Sequence, residues 1–241
     1  MIYKKCPYLP DSFGSSEKGD EDLRKRIIFF LFMIVSALVV SENEVDDSLF
    51  VKISDGIYKI GEITINKQSG EIEFPAEFNM ESKPIELLLC GKNGKLHESV
   101  LKTDIVPSQL QVSLLLLGYE YGQNIEFQGQ DKTPEGDSLL IFVEWIDSLN
   151  NKIKVRIEKL AFNVAEKKEM RETFWIFSGS QVLNGTFMAD VEGSIITTYH
   201  DPFTIIDNPL STGNDDTLYI VNSRIVPPKG TKARIIIKPF N

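Results

Sequence analysis

IELLLCGKNGKLHESVLK, residues 85–102, contains two apolar runs, 85–90 and 96–102, on either side of Asn93-Gly94. The Asn-Gly dipeptide suits the two positive φ values of a type I′ turn, which joins two adjacent antiparallel strands. This is the clearest turn signal in the chain. It predicts an antiparallel β-hairpin within a strand-rich domain.

The same pattern of strands and turns extends through the rest of the domain. From residue 49 onward, apolar residues alternate with polar ones or form short runs bounded by Gly, Asn, Asp and Pro, as in strands joined by turns. Asn150-Asn151 is predicted to join two of these strands as a second hairpin. Further strands are expected at residues 57–60, 63–65, 71–74, 124–127, 139–146, 152–160, 173–177, 194–199, 217–221 and 232–238.

Two segments have helix signals instead. Pro107 suits a first helical turn and Gly118 suits the position just past a helix end, so a buried helix is predicted near 107–117. Asp201-Pro202 predicts a short helix near 202–206 that ends before Pro209. The expected fold class is therefore mainly β (α+β), with antiparallel hairpins and two helices.

The N-terminal 41 residues have the features of an export signal. Arg24-Lys25-Arg26 is followed by 14 uncharged residues, 27–40, and then by polar residues from Ser41. This run is short for a membrane-spanning helix, which needs about 20 apolar residues, but it suits the core of a signal peptide. We therefore expect residues 1–41 to be an N-terminal extension with a signal peptide or membrane anchor, and 42–241 to be a single extracytoplasmic β-rich domain. The expected location is the periplasm or cell envelope, with anchoring by 27–40 if the leader stays uncleaved.

Charge and cysteine content narrow the classes of partner. The chain has a net charge of −9, and the part after residue 41 has a net charge of −10. The sequence after residue 41 is interpreted as having no Lys/Arg cluster, which argues against a nucleic acid as partner. Cys90 is the only cysteine after the leader, so no intramolecular disulfide is expected there. The partner is expected to be a protein or a small molecule, and any membrane contact is expected to come from the leader.

Cys90 and His97 are candidate catalytic residues. If Asn93 and Gly94 are the central turn residues, Cys90 lies directly opposite His97, and opposed residues have Cβ atoms about 4.5–5.5 Å apart. A thiol and an imidazole at this distance suit a nucleophile pair, or half of a zinc site completed by His200 and Asp201. The alternative is that Cys90 is a small buried apolar residue and His97 a hydrogen-bonded polar one.

A second candidate site follows Tyr199. Asp201 and Asp207 are placed to meet a cation across a short helical turn, and with His97 and His200 they form the set of candidate metal ligands, zinc being the metal considered. Asp before Pro and Asp-Asn before Pro are also ordinary turn chemistry. Residues 214–216 (Asn-Asp-Asp) lack the spaced oxygen ligands of a calcium loop and are interpreted as a solvated turn.

The sequence lacks several common catalytic motifs. It contains no phosphate-binding glycine loop, no Gly-x-Ser-x-Gly, no His-Glu-x-x-His and no Cys-x-x-Cys. A non-catalytic binding or envelope-associated module is therefore the favoured interpretation. The alternative is a metal- or thiol-dependent enzyme that uses Cys90, His97 and His200.

Several motifs together resemble a known family. They comprise residues 86–90 (ELLLC), 94–99 (GKLHES), the Leu-rich segment that ends at Gly118, 177–180 (FSGS), 200–202 (HDP) and 206–209 (IDNP). In this order they are similar to the YdjY-like family of bacterial exported proteins, over most of residues 70–240. The resemblance implies an exported domain without an established activity. It also implies that residues 90–97 and 200–207 are family features.

Overall fold

The computed structural model describes residues 50–240, and the predicted leader, residues 1–41, lies outside this range. The strands are β1 (Phe50–Ser54), β2 (Ile57–Ile60), β3 (Ile63–Asn66), β4 (Glu71–Phe78), β5 (Leu87–Gly91), β6 (Ser99–Thr103), β7 (Ser138–Ile146), β8 (Lys152–Arg156), β9 (Ala161–Asn163), β10 (Lys168–Glu169), β11 (Trp175–Phe177), β12 (Val182–Leu183), β13 (Thr186–Phe187), β14 (Ser194–Thr197), β15 (Ile206–Asp207), β16 (Tyr219–Val221) and β17 (Lys232–Pro239). The helices are α1 (Pro107–Leu116) and α2 (Met188–Glu192), with 3₁₀ helices at Leu96–Glu98, Ile157–Leu160 and Ser211–Asn214.

Eight strands form a closed ring, which we call the barrel. Its order is β4-β17-β7-β11-β15-β14-β5-β6, and β6 pairs back onto β4. The strand β4 makes this closure possible because its first residues pair with β3 while its last two pair with β6. On one side β4 therefore pairs with both β3 and β6, so β1–β3 continue the same sheet beyond the barrel.

The core is one cluster of apolar side chains from the barrel strands and from the elements packed against them. The barrel residues that contribute to it follow from the alternation of the strands. In β4 the buried and less buried residues alternate, as expected for a strand with one face on a core. Its Phe74 and Phe78 are fully enclosed, together with Trp175 and Phe177 of β11. All five residues of β5 are buried, as in a strand covered on both faces.

Two smaller sheets lie outside the barrel. The strands β10, β9 and β16 form a three-stranded antiparallel sheet in that order. The strands β12 and β13 form a hairpin whose turn residues, Asn184 and Gly185, have φ values of +51° and +81°. This Asn-Gly pair has the two positive φ values that a type I′ turn requires.

The hairpin predicted at Asn93-Gly94 is wrong. The strands β5 and β6 are adjacent but parallel, and residues 92–98 cross between them with a 3₁₀ helix. Neither Asn93 nor Gly94 has a positive φ. Gly94 instead allows a close approach, since a Cβ there would lie 2.9 Å from the Glu192 carbonyl oxygen and 3.1 Å from the Gly193 Cα. The glycine is needed for packing between distant segments and not for a tight turn.

The strand predicted at 124–127 is also wrong, since these residues form no strand. Three other local predictions are confirmed. The class is mainly β, and β7 and β8 form the antiparallel hairpin predicted around Asn150-Asn151, with Asn150 at a φ of +64°. Helix α1 begins at Pro107 and is followed by Gly118 at a φ of +89°. Each of these signals acts within a few residues, so local chemistry is sufficient to specify it.

The short helix predicted near 202–206 is wrong. Asp201 does accept a hydrogen bond from the Phe203 backbone at 2.9 Å, but Pro202 and Phe203 form a turn. Ile206 and Asp207 then enter the barrel as β15, between β11 and β14. Pairing on both sides requires extended backbone, so the helix cannot continue. The short helix α2, which was not predicted, is followed by Gly193 at a φ of +68°.

Helix length bears on membrane insertion. Among residues 50–240, no helix is both long enough and apolar enough to cross a bilayer.

Candidate functional site

The structure separates the two predicted catalytic residues. Cys90 lies on β5 with no exposed surface, and its Cα partners are Ser194 of β14 and Lys102 of β6. His97 lies between β5 and β6, with 78% of its side chain exposed and its Nε2 2.8 Å from Glu98 Oε1. The predicted opposition of Cys90 and His97 is therefore wrong, because it required an antiparallel pair and the two strands are parallel.

The position of Cys90 predicts low reactivity. Burial raises the pKa of its thiol to about 11, although Ser99 and Lys102 act in the opposite direction. The thiolate is the reactive form, so we expect iodoacetamide at pH 8 to leave native Cys90 unmodified and to alkylate it after unfolding in urea, where the pKa returns to about 8.5. Because the native pKa is the higher one, the stability contributed by the protonated thiol is complete below about pH 8.5 and is lost as the pH rises through about 11.

Mass spectrometry of the peptide that contains Cys90 measures this difference. Comparable alkylation rates in the native and the unfolded chain would contradict the enclosure of the thiol.

His200 and Asp207 form a buried polar pair. His200 Nδ1 lies 3.2 Å from Asp207 Oδ2, and the two side chains are 2% and 0% exposed. Asp207 Oδ1 accepts hydrogen bonds from Thr197 Oγ1 at 3.0 Å and from the Asn208 backbone at 2.7 Å. Burial raises the pKa of Asp207, while the hydrogen bond from His200 lowers it. The carboxyl group is thus enclosed and fully hydrogen-bonded.

The four predicted metal ligands do not converge. His200 and Asp207 are in contact, but His97 is exposed elsewhere. Asp201 is used locally, because its Oδ2 accepts from Ser194 Oγ at 2.6 Å and its Oδ1 accepts from the Phe203 backbone. Within residues 50–240, no group of three His, Cys, Asp or Glu side chains is arranged to hold a metal ion. A role for these residues as zinc ligands remains a prediction from sequence.

The His200–Asp207 pair holds several segments together. The His200 backbone donates to the Gly213 carbonyl at 2.7 Å and accepts from the Gly129 backbone at 2.9 Å. Gly213 also lies directly against the imidazole ring, with space for no side chain. The contacts join the β14–β15 connection to two other loops, which is the arrangement of a structural centre.

An open groove of about 500 Å³ lies beside the sheet formed by β10, β9 and β16. We call it the cationic groove. Its basic side chains are Lys159, Lys167, Lys168, Arg171 and Arg224. The other lining residues are Phe162, Glu169, Met170, Glu172 and Asn222. Five cations thus face two carboxylates, in a chain whose net charge is −9.

Some of these cations are already paired. Lys159 Nζ lies 2.8 Å from Glu169 Oε2 and 3.2 Å from Glu172 Oε1, and these hydrogen bonds raise the pKa of Lys159. Lys168 Nζ lies 2.9 Å from Glu166 Oε2. The carboxylates of Glu166, Glu169 and Glu172 are therefore already paired with lysines of the groove.

The other three cations have no such partner. Lys167, Arg171 and Arg224 form no ion pair with a carboxylate among residues 50–240. The Arg224 guanidinium lies over the Phe162 ring, 5.8 Å from its centroid, and this cation–π contact orients it above the groove. The groove therefore presents cationic groups that an anion can reach without displacing a carboxylate.

This groove was not predicted, because the sequence after residue 41 was interpreted as having no Lys/Arg cluster. Lys167, Lys168 and Arg171 are neighbours in the chain and were a usable signal. Lys159 and Arg224 are 65 residues apart and meet only because β9 pairs with both β10 and β16. The statement that the domain lacks a basic cluster is corrected by this arrangement.

The fold and the comparisons with known proteins identify the chain in general terms. The closed eight-stranded ring with appended small sheets places the chain in the class of mainly β proteins. The family model of the YdjY domain matches residues 63–238, so the chain belongs to the YdjY domain family. No curated protein and no solved structure gives a significant match to the chain.

Proposed function

We propose that this protein is a non-catalytic binding module of the cell envelope, and that the cationic groove is its binding site for an anionic ligand. One observation supports this above all others. In an acidic protein, five cationic side chains surround one open groove, and three of them have no carboxylate partner among residues 50–240. A local field opposite in sign to the net charge attracts an anion selectively to that place.

The groove also has room for a small molecule. Its volume of about 500 Å³ lies in the range of small-molecule pockets, but the groove is open and eight of its ten lining residues are charged or polar. Phe162 and Met170 supply apolar surface, and the cations supply the polar groups. This favours a small molecule over a protein as the partner.

A catalytic function has less support. Cys90 is enclosed and its pKa is raised to about 11, which is the opposite of the environment of a reactive thiol. The His200–Asp207 pair is also enclosed, with Gly213 against the imidazole ring. Neither group is placed to meet a substrate.

Export is supported by the sequence. Three basic residues, 24–26, precede the uncharged run 27–40, and polar residues follow from Ser41. Fractionation of cells followed by N-terminal sequencing tests this part of the proposal. Recovery of the intact chain from the cytosol would contradict it.

Binding to the groove is tested with Arg171→Gln/Arg224→Gln in the full chain. Isothermal titration calorimetry at low salt is carried out with four anions: inorganic phosphate, acetate, tripolyphosphate and citrate. We expect at least one anion to bind the wild type and to bind the variant about tenfold or more weakly, since each lost charge-assisted hydrogen bond costs about 0.5–1 kcal/mol or more at an exposed site.

The matched control is Lys52→Gln/Lys92→Gln, which removes two exposed cations outside the groove and changes the net charge equally. The control should bind like the wild type. If no anion binds, or if the control loses as much affinity as the groove variant, the groove is not the binding site.

A further inference from the structure

The cations of the groove come from separate parts of the chain. Arg171 follows β10 by two residues, and Arg224 follows β16 by three. These two strands flank β9, which carries Phe162, on opposite sides. Adjacent strands are about 4.8 Å apart, so the backbones of β10 and β16 are separated by about 10 Å. The unpaired arginines thus originate from opposite sides of the groove.

The number of free cations bears on the charge of the anion. Three cations of the groove, Lys167, Arg171 and Arg224, have no carboxylate partner among residues 50–240. One phosphate or carboxylate group can pair with one or two of them and leaves positive charge unmatched. A molecule that neutralises all three must carry more than one anionic group.

The state of Lys159 leads to the same conclusion. Its ammonium group is held by Glu169 and Glu172, at 2.8 Å and 3.2 Å. A single anionic group at Lys159 has to compete with these two carboxylates of the protein. The cations that remain available are exposed, and a single exposed ion pair adds little to the binding free energy. Several anionic groups linked in one molecule bind more tightly, because after the first contact each further contact forms within the same complex.

The charge outside the groove limits the length of the ligand. The chain as a whole has 35 acidic and 26 basic side chains, so a long polyanion would meet repulsion beyond the groove. Within the groove, the Phe162 ring and Met170 offer apolar surface for an uncharged part of the ligand. The observations favour a small molecule over a nucleic acid strand.

We infer that the ligand of the cationic groove is a small multivalent anion, with two or more phosphate or carboxylate groups on one molecule that contact Arg171 and Arg224 together. This inference rests on the proposed binding function and adds the chemical class of the ligand. Arginine suits this role because its planar guanidinium donates two parallel hydrogen bonds to either type of group.

The test compares anions with one group and with several groups, using the full chain. Tripolyphosphate and citrate should bind at least about tenfold more tightly than inorganic phosphate and acetate, as expected when a second linked group adds its own contact. Whichever of the two multivalent anions binds more tightly shows whether phosphate or carboxylate groups are preferred. Equal affinity for single-group and multivalent anions would overturn the inference while leaving the binding function in place.

Single variants show whether both arginines act on the same molecule. Arg171→Gln and Arg224→Gln should each weaken tripolyphosphate binding about threefold or more, and the effects should multiply in the double variant. If only one arginine affects tripolyphosphate, the ligand uses one side of the groove and the inference is wrong. If none of the four anions binds, both the proposed binding function and this inference are wrong. Thermal unfolding of each variant confirms that these exposed substitutions leave the fold intact.

Discussion

Gly213→Ala is expected to lower the free energy of unfolding by about 3 kcal/mol, the upper part of the usual range for overpacking in a close-packed interior. A Cβ at this position would lie 2.3 Å from His200 Cε1 and 2.5 Å from His200 Nε2. The ring cannot move aside easily because it is 2% exposed and bonded to Asp207. For a domain of this size the loss corresponds to a fall in melting temperature of roughly 6–12 °C.

A double-mutant cycle assigns this loss to the imidazole ring. In a His200→Ala background the ring is gone, so Gly213→Ala should cost much less than in the wild type. Gly185→Ala is the control, since no atom lies within 4 Å of its Cβ and only the φ of +81° is strained, at about 1–2 kcal/mol. An equal cost of Gly213→Ala in both backgrounds, measured by urea denaturation, would rule out the clash with His200.

Arg156→Met is expected to lower the free energy of unfolding by about 3–5 kcal/mol, as when one partner of a buried ion pair is removed. Arg156 Nη2 lies 2.6 Å from Glu158 Oε1, and Glu158 has no exposed surface. The same carboxylate oxygen accepts from Trp175 Nε1 at 3.0 Å, while Glu158 Oε2 has no hydrogen-bond partner within the described residues. Methionine keeps the apolar stem of the arginine but leaves the buried carboxylate without its counter-charge.

The double variant Arg156→Met/Glu158→Gln separates charge from packing. Glutamine keeps an acceptor for Trp175 Nε1 and removes the buried charge, so much of the lost stability should return. Arg224→Met is the control, because it removes a largely exposed arginine and should change stability by no more than about 0.5 kcal/mol. If the double variant is as unstable as Arg156→Met alone in urea denaturation, the loss comes from packing and not from the unpaired charge.

The two Asn-Gly dipeptides show where local reasoning succeeds and where it fails. Asn184-Gly185 takes the positive φ values of a type I′ turn, and Asn93-Gly94 takes neither. The dipeptides are identical, so the difference comes from their surroundings. Gly94 lies against Glu192 and Gly193, which are about 100 residues away in the chain. A contact of this kind has no signal within a window of ten residues.

The candidate sites show the same division. The prediction that Cys90 lies opposite His97 assumed that the two strands run antiparallel. Because β5 and β6 are parallel, the two residues do not face each other. Contact between His200 and Asp207 was predictable in part, because they are only seven positions apart in the chain. The cationic groove could be seen only in part, from Lys167, Lys168 and Arg171.

The amino-acid sequence by itself determined the strand-rich class, the helix from Pro107, the hairpin at Asn150-Asn151 and the acidic net charge. These features depend on side-chain periodicity, turn residues and composition, all of which act over a few residues or need only counting. Tertiary structure alone decided the closure of the barrel, the enclosure of Cys90 and the meeting of Lys159 with Arg224. Each of these features depends on the pairing of segments that are distant in the chain. That pairing is determined by the burial of apolar faces and the satisfaction of backbone hydrogen bonds over the whole domain.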